Sequence, residues 1–96
     1  MRPQSDQSLE VEPQTLTVRC RLFGRYAELL GAEELEVTLP VPATAGAAVA
    51  HLRETVAAAG LLPALPLVAI NRQHARLAAP LADGDEVALL PPLAGG

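Results

Sequence analysis

The chain ends in two glycines, Gly95 and Gly96, and their terminal carboxylate is the group best suited to chemistry with another protein. Glycine has no Cβ, so the last peptide is thin, and any side chain at Gly96 would crowd a reacting carbonyl. A carboxylate is a weak electrophile because its charge is delocalised, so acyl transfer requires a good leaving group. Chain ends are also often glycine-rich through lack of constraint, and the two glycines alone do not decide between these interpretations.

The residues before the glycines favour presentation of this carboxylate. Pro91 and Pro92 have no backbone N–H and a fixed φ, so a strand cannot continue through them and the tail leaves the domain semi-extended. They follow a strand-like run, Glu86–Leu90, which itself follows an acidic turn. The predicted tail consists of Pro91, Pro92, Leu93, Ala94, Gly95 and Gly96.

Other patterns that could support catalysis or metal binding are weak. Asp83 and Asp85 flank Gly84, a pattern that is typical of a turn. A calcium site at these two residues would need further oxygen ligands. No metal-ligand spacing and no nucleophile with a neighbouring base is visible. Cys20 is the single cysteine, and its place in an alternating strand predicts a buried, unreactive thiol in a reducing compartment.

Composition limits the class of protein. The 96 residues suffice for one small domain, and the net charge of −4 with dispersed basic residues argues against nucleic-acid or membrane partners. No apolar run approaches the length of a membrane span, and the N-terminus lacks a secretion signal, so we expect a cytoplasmic protein. Residues 1–14 are polar and aperiodic, which predicts a flexible extension.

Hydrophobic periodicity predicts an α+β fold, with two helices and a sheet of about five strands. The helix over residues 44–59, capped by Thr44 and stopped by Gly60, would be the long one and pack across the sheet. The continuous apolar run Leu67–Ile70 predicts a strand buried on both sides or against a partner. In chain order the predicted elements are a strand with Leu16, Val18, Cys20 and Leu22 on its apolar face, a short helix over 25–30, a strand with Leu35, Val37 and Leu39, the long helix, the strand Leu67–Ile70, a short edge strand over 75–77 after a turn at 71–74, and the strand Glu86–Leu90.

The C-terminal stretch carries a family resemblance. The run Leu81-Ala82-Asp83-Gly84-Asp85-Glu86-Val87-Ala88, followed by Pro91-Pro92-Leu93-Ala94-Gly95-Gly96, resembles the small subunits of molybdopterin synthase (MoaD), within the MoaD/ThiS family of ubiquitin-like sulfur carriers. The resemblance covers about residues 16–96 and implies a β-grasp domain over 15–90, whose last strand is central and leads into the tail, 91–96. Leu89-Leu90 stand where the family often has aromatic residues.

The resemblance also implies a reaction cycle. The carboxylate of Gly96 would be adenylated by an E1-like enzyme (MoeB-like) that consumes ATP, and a sulfur donor protein would then convert it to a thiocarboxylate. The sulfur would pass to cyclic pyranopterin monophosphate in the large subunit (MoaE-like), commonly in a heterotetramer. This chain would hold no permanent cofactor and supply no catalytic side chain. Leu90, Leu93 and Phe23 would contact the large subunit.

Three alternatives to this cycle stay open at this point. The chain could carry sulfur for thiamine or another thio-metabolite, although thiamine carriers usually lack the double proline. It could be a ubiquitin-like protein modifier, joined through its tail to lysines of partner proteins. It could also be a non-covalent interaction module with an incidental tail, in which case deletion of Gly95 and Gly96 would leave function intact.

Overall fold

The computed structural model describes residues 14–56, 60–63 and 66–92. Residues 93–96 of the predicted tail, and the predicted N-terminal extension apart from Gln14, lie outside the described residues. The elements are β1 (Thr15–Leu22), α1 (Gly24–Leu30), β2 (Glu34–Pro40), α2 (Ala45–Thr55), β3 (Leu67–Ile70), β4 (Gln73–Ala75) and β5 (Glu86–Leu90).

The five strands form one mixed sheet in the order β2-β1-β5-β3-β4. The central strand β5 runs parallel to β1 and antiparallel to β3, while β2 and β4 pair antiparallel at the two edges. The predicted mixed sheet of about five strands, with a central last strand, is therefore confirmed.

One face of the sheet carries the core. The predicted apolar side of β1 is fully buried, and Val87 and Leu89 of β5 lie on the same face. Helix α2 covers this face with Ala48, Val49 and Leu52. The buried residues of α1 and α2 belong to this core, so neither of these two described helices covers the opposite face of the sheet, which we call the open face.

Both helices begin or end at predicted residues. The Thr44 side chain accepts a hydrogen bond of 3.1 Å from the Ala47 N–H at the start of α2, as its position before the alanine-rich run predicted. Gly31 ends α1 in the left-handed conformation, with φ of 69°.

Three predictions about the elements were wrong in detail. Helix α2 ends at Thr55 rather than Ala59, because Val56 adopts an extended conformation with φ of −107° and ψ of 122°. The edge strand is Gln73–Ala75 rather than 75–77, since a two-residue turn suffices after β3. For Leu67–Ile70, burial on both sides within the domain is wrong at Leu67, which is 59% exposed on the open face, and burial against a partner stays a prediction.

Within the described residues, no helix is long and apolar enough to cross a membrane.

Candidate functional site

The acidic turn before β5 is built by its two carboxylates. The Thr17 N–H donates a hydrogen bond of 2.7 Å to Asp83 Oδ1, and the Ala82 N–H donates one of 2.8 Å to Asp85 Oδ2. Gly84 has φ of 88°, a value that favours glycine, and its N–H donates to the Thr17 carbonyl at 2.7 Å. Both carboxylates therefore serve the turn, as predicted, and they fix the start of the strand that leads to the tail.

Asn71 joins this turn to the hairpin between β3 and β4. Its side-chain amide donates to Asp85 Oδ1 at 2.9 Å, and its Oδ1 accepts the Glu86 N–H at 3.0 Å. Its backbone N–H also donates to the Glu86 carbonyl at 2.9 Å. Three hydrogen bonds from one residue thus hold the hairpin against the first residues of β5.

The tail leaves the sheet at the end of β5. Leu90 is opposite Leu67 in the last register pair with β3, and Pro91 and Pro92 follow without an N–H to extend the ladder. Pro91 is partly buried, and its Cγ would lie 3.6 Å from a Cβ added at Gly24, where α1 begins. The exit is therefore bounded by the β1–α1 junction.

A depression of about 330 Å³ lies on the open face beside this exit. Phe23, 39% exposed, and the partly exposed Leu90 both line it, so the structure brings together two of the three predicted interface residues. Leu93, the third, lies outside the described residues. The open-face depression is lined by Arg21, Phe23, Ala69, Arg72, His74, Glu86, Ala88 and Leu90.

Charged groups lie across the floor of the open-face depression. Glu86 is only 8% exposed, and its Oε1 lies 3.7 Å from a guanidinium nitrogen of Arg21. The Arg21 guanidinium carbon is 5.4 Å from the centre of the Phe23 ring, within the range of a cation–π contact. Arg21 therefore lies beside both the Glu86 carboxylate and the Phe23 ring.

A second groove, of about 670 Å³, lies on the helical side of the exit. Its walls come from α1, from the segment after α2 and from Pro92 of the tail base. The lining residues are Arg25, Tyr26, Glu28, Leu29, Leu61, Pro63 and Pro92. The base of the tail thus adjoins concave surfaces on two sides.

The Cys20 thiol takes no part in this site. It is fully buried in β1, and burial raises its pKa to about 12, so the thiolate is not formed at neutral pH. The prediction of a buried, unreactive cysteine is confirmed.

Comparison with protein-family models decides the family. The model of the ThiS family matches residues 20–96, most of the chain, including β5 and the tail. The chain belongs to the ThiS family. It is thus a ubiquitin-like domain of the ThiS/MoaD sulfur-carrier class, which confirms the coarser part of the resemblance.

Solved structures agree with this ThiS-family assignment. The small archaeal modifier protein SAMP1 from Haloferax volcanii is 32% identical, with a TM-score of 0.71, over 83% of this chain and 99% of that chain. Subunit 1 in a complex of subunits 1 and 2 of the molybdopterin-converting factor from Helicobacter pylori is 27% identical, with a TM-score of 0.61, over 84% of this chain and all of that chain. A molybdopterin-converting factor subunit 1 from Pyrococcus furiosus, 21% identical with a TM-score of 0.69 over 81% and 99% of the two chains, supports the β-grasp fold alone.

Sequence reasoning missed two residues beside β5 of this ThiS-family domain, Leu67 at its tail end and Arg72 at its start. Leu67 was assigned to a buried strand, because four apolar residues in a row give no signal for which of them faces outward. Arg72 was assigned to a turn, but its backbone φ of 72° and its place on the open-face depression were not foreseen. The available signal was the pair Asn71-Arg72 between two short strands. Asn-Gly is the typical pair of a tight hairpin turn, and Arg72 stands where the glycine would be.

Proposed function

We propose that this chain is a sulfur carrier in molybdenum cofactor biosynthesis, acting through the carboxylate of Gly96. The observation that carries the proposal is the exit of the central strand β5 into Pro91 and Pro92 directly beside the open-face depression. A partner protein seated on that depression would have the tail at its own surface. The Helicobacter pylori complex, in which a related subunit 1 is bound to subunit 2, supports a partner of this kind.

The proposed cycle has four covalent steps. The Gly96 carboxylate attacks the α-phosphorus of ATP, which releases pyrophosphate and leaves an acyl-adenylate. Sulfur at the sulfide oxidation level then attacks the acyl carbon and displaces AMP, so that a C–S bond replaces a C–O bond. The thiocarboxylate sulfur then bonds to a carbon of cyclic pyranopterin monophosphate as a carbon–oxygen bond of that carbon breaks, and water cleaves the acyl–sulfur bond and returns the Gly96 carboxylate. Molybdopterin holds two sulfur atoms, so two loaded chains discharge onto each pterin.

The partners in this proposal are separate proteins. An E1-like adenylating enzyme supplies the ATP chemistry, a sulfur donor protein supplies the sulfide equivalent, and the large subunit of molybdopterin synthase binds the pterin. Leu90, Phe23 and Leu93 contact the large subunit, and two copies of each chain form a heterotetramer in the cytoplasm. This chain contributes the reacting acyl group and the surface that positions it.

Mass spectrometry tests the first half of the cycle. The purified chain is incubated with ATP, the E1-like enzyme and the sulfur donor protein encoded in the same genome, beside a variant lacking Gly96. Trypsin can cleave this lysine-free sequence only after arginine, and Arg76 is the last one, so residues 77–96 form the C-terminal peptide. We expect that peptide to gain the mass difference between sulfur and oxygen in the complete chain only. An unchanged mass with active enzymes contradicts the proposal.

Transfer to the acceptor tests the second half. The loaded chain is mixed with the large subunit and cyclic pyranopterin monophosphate, and we expect it to return to its original mass while molybdopterin forms. The control is the loaded chain with the large subunit and no pterin, which should keep its sulfur. A chain that loads but does not discharge onto this pterin would point to another thio-acceptor.

A second candidate function is protein modification, favoured by the 32% identity to a small archaeal modifier protein. The activated Gly96 acyl group would then form an isopeptide bond with a lysine amine of another protein and release AMP. Epitope-tagged chain expressed in its own host would appear in a ladder of higher-mass species that resists thiols and disappears on Gly96 deletion. A single band of unconjugated protein would exclude this candidate.

A further inference from the structure

Arg72 occupies an unfavourable backbone position at the edge of the open-face depression. It is the second residue of the two-residue turn between β3 and β4, and both turn residues have positive φ, 51° at Asn71 and 72° at Arg72. This is the backbone of a type I′ hairpin, in which glycine is strongly preferred at the second position. A side chain with a Cβ is sterically disfavoured there.

The structural needs of the turn are met by Asn71 and do not account for the arginine. Asn71 bonds to Asp85 and to Glu86, and asparagine tolerates the left-handed conformation. Neither of the two ion pairs within residues 14–56, 60–63 and 66–92 involves Arg72. The arginine therefore carries the steric penalty of the left-handed backbone without a compensating salt bridge among those residues.

The charge around the open-face depression defines what Arg72 can bind. Among the described residues that line this depression, Glu86 is the one acidic group, and it already faces Arg21 at 3.7 Å. Arg72 is exposed at the end of the depression next to Glu86, where its guanidinium adds positive charge on a chain whose net charge is −4. Phe23 and Leu90 make the other end of the depression, beside the tail, apolar. Guanidinium groups bind carboxylates through two parallel hydrogen bonds. The complementary surface thus has a carboxylate at the Glu86 end of the depression and an apolar side chain at the Leu90 end.

We propose that Arg72 is a specificity-determining residue for docking of the partner protein. Its guanidinium binds a carboxylate of the large subunit at the Glu86 end of the open-face depression, while an apolar side chain of that subunit enters the other end, between Phe23 and Leu90. This role rests on the proposed function, which supplies the partner. Because Leu90 is followed directly by the tail, docking at this depression also sets where the tail enters the partner.

The turn itself offers a variant that separates binding from folding. Arg72→Gly removes the guanidinium and places the preferred residue at this backbone position, so the variant should fold at least as well as the original chain. Arg72→Lys keeps the charge but loses the paired hydrogen bonds. Arg76→Gln removes an exposed arginine that does not line the open-face depression and serves as the matched control.

The experiment measures the Kd of each complete chain for the purified large subunit by titration calorimetry, at low and at high salt. We expect Arg72→Gly to weaken binding about tenfold at low salt, Arg72→Lys to weaken it less, and Arg76→Gln to leave it within about twofold. We also expect the salt dependence of binding to be smaller for Arg72→Gly, because one ion pair has been removed.

The outcomes separate this role from the proposed function. If the original chain and Arg72→Gly bind the large subunit equally well, the role of Arg72 is wrong and the carrier cycle stands. If the original chain does not bind the large subunit at all, the proposed partner is wrong, and the role of Arg72 falls with it. If Arg72→Gly binds weakly but urea unfolding shows that it is destabilised, the Arg72→Lys variant decides. An Arg72→Lys chain of normal stability that binds as weakly as Arg72→Gly still supports the docking role. An Arg72→Lys chain that binds as tightly as the original chain overturns the paired carboxylate contact.

Discussion

Asn71 and Asp85 are joined by a hydrogen bond of 2.9 Å between the side-chain amide of one and the carboxylate of the other. The second oxygen of Asp85 accepts the Ala82 N–H, and the side-chain Oδ1 of Asn71 accepts the Glu86 N–H. The hairpin that carries Arg72 and the strand that carries the tail are therefore one hydrogen-bonded unit. Both halves of the proposed docking surface depend on this pair.

Asp85→Ala should lower the free energy of unfolding by about 1–2 kcal/mol, because the Asn71 amide and the Ala82 N–H both lose a charged acceptor. Urea denaturation measures the change. The matched control is Glu54→Ala, which removes an exposed carboxylate from α2 and should stay within about 0.5 kcal/mol of the original chain. Equal effects of the two substitutions would show that Asp85 does not hold the turn.

Glycine at the two turn positions should have opposite effects on stability. Asn71→Gly removes two side-chain hydrogen bonds to β5 and its preceding turn, and should lower the free energy of unfolding by about 1 kcal/mol. Arg72→Gly relieves a left-handed conformation, and this offsets the extra chain entropy of glycine, so stability should hold or rise by up to about 1 kcal/mol. Thermal and urea unfolding of both variants check the signs. A destabilised Arg72→Gly would mean that the arginine side chain supports the turn.

Cys20 should make the protein less stable at alkaline pH. The folded thiol keeps its proton up to a pKa of about 12, whereas the unfolded thiol ionises near its ordinary value of 9.0, so the unfolded state binds fewer protons between these values. The contribution of Cys20 to stability is fully present below pH 9 and is lost as pH rises toward 12, with a slope of at most about 1.4 kcal/mol per pH unit.

Unfolding experiments across this pH range, with Cys20→Ala as the control, isolate the effect. Other groups that titrate there are common to both chains, so their contributions cancel in the difference. We expect the difference in unfolding free energy to change steadily above pH 9. A constant difference from pH 8 to 12 would show that the thiol is not protected by burial.

The sequence predicted those parts of the fold in which periodicity and chain geometry act locally. Alternation in β1 identified its buried face, and Glu86–Leu90 was correct to the residue because a turn and two prolines bound it. The end of α2 was missed because the alanine-rich pattern continues beyond Thr55 in the sequence, whereas the backbone is already extended at Val56.

The candidate site was predicted only where single residues were distinctive. Phe23 and Leu90 were named from the family resemblance, and the structure places both on the open-face depression. Arg72 and Leu67 could not be found in this way, because their positions follow from pairing between strands that are separated in sequence. Long-range register of this kind is not encoded in the local pattern around either residue.

Two neighbours in β3, Leu67 and Val68, provide a test of how far the docking surface extends. Leu67 is 59% exposed and Val68 is 2% exposed, so Leu67→Ser should change the free energy of unfolding by less than about 0.5 kcal/mol, whereas Val68→Ser should lower it by roughly 2–4 kcal/mol. Urea denaturation measures both.

Leu67→Ser should nevertheless weaken binding of the large subunit, because Leu67 is opposite Leu90 in the register pair that borders the tail. An exposed leucine contributes to affinity only if the partner covers it, so titration calorimetry with a stable Leu67→Ser chain reports coverage directly. We expect a Kd several times weaker than that of the original chain. An unchanged Kd would confine the contact to the open-face depression and place the partner on the Phe23 side of the tail.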